Sequence, residues 1–79
     1  MKVILLPQAQ EDLGGIEHPL LARVLKRLGA LRRYPDLGAP MVGPFAGYRS
    51  SVVGLFRIVY KRPSPDLIQV AYIRHCRRK

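Results

Sequence analysis

Residues 48–74 read YRSSVVGLFRIVYKRPSPDLIQVAYIR, and this stretch decides the fold. Gly54 and the run Pro63-Ser64-Pro65-Asp66 break it into three pieces rich in β-branched, aromatic and aliphatic residues, so residues 48–53, 55–62 and 67–74 read as strands. Connections this short join antiparallel neighbours. In the middle piece Phe56, Ile58 and Tyr60 alternate with Leu55, Arg57, Val59 and Lys61, which sends the first set to one face and the second to the other. The aromatic side is expected to pack on helices, leaving Arg57 on the far face among apolar residues, where a guanidinium is costly unless an anion meets it. Either register of the strand before could bring Arg49 beside Arg57, and two arginines facing one another would suggest a phosphate site.

Upstream of the meander, Leu20, Leu21, Val24, Leu25, Leu28 and Leu31 form a stripe at helical spacing, with Pro19 at its first turn and Arg32 and Arg33 near its end. Arg23, Lys26 and Arg27 stand on the other face, which reads equally as a solvated face or a contact. A shorter helix precedes it, its apolar side made by Ala9, Leu13 and Ile16, and a brief turn at His18 joins the two into a hairpin. Val3-Ile4-Leu5-Leu6, unalternating and ended by Pro7, suits a strand buried in the sheet. Between residues 34 and 47 prolines and glycines erase any period, and the segment reads as a crossover held to the core by Leu37, Met41, Val42 and Phe45. The fold class expected is α+β: an N-terminal strand, a helical hairpin, then a three-stranded antiparallel meander forming a curved sheet with the helices on one face. At 79 residues the whole chain, 1–79, is expected to be one domain.

Composition narrows the function. Hydrophobic residues make up 48% of the chain and charged ones 24%, a globular balance. Fourteen Lys and Arg against five Asp and Glu give a net charge of +9, so the surface attracts polyanions, an acidic partner protein, or simply water. Cys76 is the single cysteine, and a reducing compartment, the cytoplasm, is the expectation. The apolar run at the N-terminus is too short for a signal peptide or a membrane span, so no membrane role is expected. Neither a phosphate-cradling glycine loop nor a metal-ligand spacing occurs, so neither cofactor nor metal is expected.

What remains is a set of cations: Arg49, Arg57, Arg74, His75, Arg77 and Arg78, from strands expected to be neighbours, with Lys61 beside them. Metal-free cleavage of RNA needs a base for the ribose 2′-hydroxyl, fixed positive charge beside the crowded phosphorane and an acid for the leaving oxygen. Arginine serves as the charge, and His75 is the residue whose unperturbed pKa suits proton transfer near neutrality. Tyr48 or Tyr72 would stack on a base. An exposed terminal histidine and core tyrosines are the blander readings of the same residues.

Tyr48-Arg49, then Gly54-Leu55-Phe56-Arg57-Ile58-Val59-Tyr60, then Ile73-Arg74-His75 with trailing Arg77 and Arg78 resemble the sheet of the RelE/ParE superfamily of bacterial toxins, in order and over essentially the whole chain. The resemblance implies the toxin half of a type II toxin–antitoxin pair, neutralised by a cognate antitoxin. It implies one of two activities: metal-independent, ribosome-dependent mRNA cleavage, which arrests translation, or, in the ParE-like branch, inhibition of DNA gyrase without catalysis. A degenerate toxin that only binds antitoxin or nucleic acid is the third possibility. By position Arg57, His75 and Arg49 fall where catalytic residues of the RNA-cleaving branch would stand, and Arg74, Arg77, Arg78, Lys61 and Tyr48 would bind RNA. Arg49 departs from the lysine common at its place, and Ser51 also breaks the lysine pair of that strand, which takes away one candidate base.

Overall fold

A computed structural model describes residues 1–76, so the basic residues Arg77 and Arg78 lie outside the described residues. Strand β1 (Lys2–Leu5) is followed by α1 (Pro7–Gly14), α2 (Leu20–Arg33), β2 (Ala39–Pro40), a 3-10 turn at Gly43–Phe45, and then β3 (Arg49–Val53), β4 (Phe56–Ser64) and β5 (Leu67–His75). These strands form one open five-stranded sheet in the order β1-β5-β4-β3-β2. β1 runs parallel to β5 and every other pair is antiparallel. The α+β class and the order strand, helical hairpin, meander are therefore as the sequence leads one to expect. The differences are a short fifth strand cut from the crossover and Pro63 lying in β4, so that the turn tightens to Pro65 and Asp66. β1 differs as well: the unalternating run from Val3 to Leu6 leads one to expect a strand buried on both faces in the middle of the sheet, but it lies at the edge with Ile4 exposed.

Both helices cover one face. Ala9, Val24, Leu28 and Leu31 meet Val53, Ile58, Tyr60, Ile68, Val70 and Ile73 in a single core. The helical stripe is narrower than its spacing suggests, because Leu25, at its margin, is 48% exposed. Arg27, on the side read as wet, is half-buried: its Nη1 donates to Ser51 Oγ at 2.6 Å and to the Val52 carbonyl at 3.2 Å, tying α2 to β3. Asp12 of α1 accepts the Ile73 N–H at 2.9 Å, past the last residue of β5 that β1 pairs. Both contacts satisfy edge groups that no strand reaches.

Register on the sheet is set by the turn at Gly54 and Leu55, where Gly54 takes φ +59. Val53 then pairs with Phe56, Val52 with Arg57, and Arg49 with Tyr60. A second anchor lies at the crossover. The Tyr60 hydroxyl accepts the Gly38 N–H at 2.9 Å and donates to the Pro35 carbonyl at 2.7 Å. Gly38 sits so close that a Cβ there would lie 2.7 Å from the Ser50 carbonyl oxygen and 2.7 Å from the Tyr60 hydroxyl. The crossover is thus held by hydrogen bonds and close approach, not by apolar anchoring: Leu37, Val42 and Phe45 are exposed, contrary to the expectation that they lie on the core. Its polar contacts already satisfy the buried backbone, and side chains on it are released to the surface.

Candidate functional site

Alternation along β4 puts Arg57, Val59 and Lys61 on the face away from the helices. Cross-strand pairing extends this face into rows. Val52, Arg57 and Arg74 form one, and Ser50, Val59 and Tyr72 the next. Arg57 and Arg74 are both exposed and directly opposite one another, and neither forms an ion pair among the described residues. Like charges in that position work against folding.

Beside the arginines stands a cluster of rings. Phe45, carried by the 3-10 turn, meets Tyr48 and Tyr72 edge-on, with both centroids 6.2 Å away. Lys61 Nζ lies 5.3 Å over the Tyr48 ring, and the Arg74 guanidinium carbon 4.7 Å over Tyr72. Met41, Phe45, Arg57, Tyr72 and Arg74 border a hollow of 240 Å³ that reaches His75 and Cys76 at the strand's end. That is smaller than the roughly 300 Å³ at which enclosed small-molecule sites begin. A hollow of this size on an open cationic face suits one flat group attached to an anion.

Two residues expected here point elsewhere. Arg49 shares a face with Tyr60, and its Nη1 donates to the Gly38 carbonyl at 2.7 Å while its Nε lies 3.6 Å from the Asp36 carboxylate. The pairing of Arg49 with Arg57 that the sequence allows is corrected by the register: Val52 occupies that place, because a two-residue turn fixes which residues oppose each other and an odd offset changes the face. His75 pairs with Phe56, and its ring meets the Phe56 ring edge-on at 5.4 Å. It faces a cleft of 440 Å³ between α1 and the sheet, which Gln8, Glu11 and Asp12 also line, while its strand end borders the hollow below Arg57. Lys61 and Tyr48 are brought to the open face as expected, together with Arg57 and Arg74. Phe45 was legible only as a crossover anchor; its place beside Tyr48 and Tyr72 on the open face depends on how the strands pair, which no local pattern reveals.

Among the described residues no cluster of three or more potential metal ligands occurs, and no helix is long and apolar enough to cross a membrane.

The family model for the ParE toxin of type II toxin–antitoxin systems, parDE, matches residues 3–79. The chain belongs to this family, within the RelE/ParE superfamily: it is the toxin component of a type II pair, and its partner is an antitoxin. Solved structures agree in fold. The RelBE2 toxin–antitoxin complex of Mycobacterium tuberculosis is similar at 26% identity over 92% of this chain and 94% of that one, with a TM-score of 0.83. The YoeB–YefM complex of Staphylococcus aureus is similar at 19% identity, covering 95% of each chain, with a TM-score of 0.78. The chromosomal ParDE system of P. aeruginosa gives 17% identity, 95% of each chain and a TM-score of 0.74. No curated protein matches the chain in sequence.

Proposed function

We propose that this toxin is a metal-independent, ribosome-dependent mRNA endonuclease of the cytoplasm that arrests translation by cutting messages in the ribosomal A site. The observation that carries the reading is the exposed Arg57–Arg74 pair on the open face, set against folding yet beside a ring cluster. A scissile phosphate docked between the two guanidinium groups cancels their repulsion and receives two charge-assisted hydrogen-bond donors. As the 2′-hydroxyl attacks, negative charge grows on the non-bridging oxygens, and fixed guanidinium charge holds the phosphorane more tightly than the starting diester. The 5′ oxygen of the next nucleotide leaves with a proton. His75 borders the hollow but turns its ring to the helix side, so water or a ribosomal group carries the proton in this scheme, and Arg49 serves the crossover. The ribosome supplies what a shallow hollow lacks: a message held in a fixed, attack-ready geometry.

Mapping transcript ends in a reconstituted translation reaction tests this. The wild-type toxin is expected to cut in frame on translated messages. Arg57→Ala is expected to lower the cutting rate about 100-fold or more, as removal of one transition-state donor does, while still binding antitoxin. Undiminished cutting by the variant would remove Arg57 from the mechanism. Gyrase inhibition is the second reading, favoured by the ParE description of the matching family and by the Arg49 side chain and His75 ring lying away from Arg57. Gyrase-dependent DNA breaks without transcript cuts would establish it in place of the first.

A further inference from the structure

We propose that Phe45 is the stacking platform for one unpaired RNA base, which makes the Gly43–Phe45 turn a specificity determinant of the site; the proposal rests on the RNA reading above. In the ring cluster Tyr48 and Tyr72 each already carry a cation over one face. Phe45 is 40% exposed, meets both tyrosines in T-shaped contacts rather than parallel stacks, and carries no cation over its ring among the described residues. A lone exposed apolar ring is ordinary on a protein surface. This one is held in place by its backbone. Ala46 N–H donates to the Gly43 carbonyl at 3.0 Å, Tyr48 N–H to the Phe45 carbonyl at 3.0 Å, and Met41 N–H to the Tyr48 carbonyl at 2.9 Å. The turn is therefore closed on both sides of Phe45, and the edge-on tyrosines limit where its ring can swing.

Phe45 also borders the same hollow as Arg57 and Arg74. With a phosphate held by the arginines, Phe45 is a ring on the wall of the same hollow against which the base can lie. Stacking tolerates any base yet favours the larger purines, so the turn biases which nucleotide is held, while the arginines act on the phosphate alone.

The test uses the full-length toxin and a short single-stranded RNA carrying one 2-aminopurine, whose fluorescence is quenched on stacking. The wild type is expected to bind and quench. Phe45→Ala and Phe45→Leu are expected to bind about tenfold more weakly or worse and to lose the quench, whereas Phe45→Trp keeps both. Leucine preserves apolar bulk without a flat ring, and unchanged circular-dichroism melting of that variant separates stacking from folding. Equal quench and affinity in Phe45→Leu would overturn the assignment while leaving the RNA reading intact. A wild type that does not bind the RNA would overturn the stacking assignment, while in-frame cutting of translated messages decides the RNA reading separately.

Discussion

Two arginines that look alike in the sequence have opposite duties. Arg57 faces Arg74 across β4 and β5 with no carboxylate answering either among the described residues, whereas Arg49 ties Gly38 and Asp36 to the sheet. Their alanine variants should therefore behave in opposite ways. Arg57→Ala relieves a like-charge pair, so its stability in urea is expected to equal the wild type's or exceed it by up to about 1 kcal/mol, while its affinity for single-stranded RNA falls. Arg49→Ala loses a charged donor at 2.7 Å from a carbonyl. It is expected to lose about 1 kcal/mol of stability, at the low end because the side chain is partly exposed, with little change in RNA affinity. Reversed outcomes would exchange the two roles. The alternation that placed Arg57 was legible in the sequence, since Phe56, Ile58 and Tyr60 fix the other face. Arg49's side was not, because it depends on a register that a one-residue change in the Gly54 turn would invert.

At the scale of elements the crossover between α2 and β3 decides what the open face looks like, and Tyr60 of β4 holds it. Tyr60→Phe leaves the Gly38 N–H and the Pro35 carbonyl without their partner, at an expected cost of about 1–3 kcal/mol in urea unfolding. Burial pushes the Tyr60 hydroxyl above its ordinary value of 10.0, against the Gly38 hydrogen bond and the Arg49 charge, which pull it down. With the folded-state value raised, the folded chain keeps a proton that the unfolded chain has begun to release. This contribution is fully present below about pH 10 and is lost as pH rises through the folded-state value. Unfolding curves taken in steps above pH 10 should fall more steeply for the wild type than for Tyr60→Phe; parallel curves would mean that the hydroxyl does not titrate with folding. The sequence could not announce this latch. Residues 34–47 have no period to read, and the partner that organises them lies 22 residues beyond Gly38.

Across the whole molecule charge and shape are separable, because the +9 net charge acts at long range while the ring cluster acts by contact. The charge was plain from composition. The segregation of Arg57, Arg74, Lys61 and the rings onto the face away from the helices was legible in part, through the two-residue period of β4, and the placement of His75 on the helix side was not. Salt titration distinguishes the two kinds of contact on that face. Each phosphate contact to a single strand releases counterions and contributes about −0.7 to the slope of log affinity against log salt. Three contacts, from Arg57, Arg74 and Lys61, predict a slope of about −2 for a short RNA, measured by fluorescence anisotropy over a range of salt. Arg57→Ala is expected to make that slope shallower by about 0.7. Phe45→Leu is expected to lower affinity at every salt concentration and leave the slope unchanged, since no counterion is displaced by a stacked base. A change of slope in Phe45→Leu, or none in Arg57→Ala, would mean that the positive field binds RNA diffusely and that the arranged face has no part in holding it.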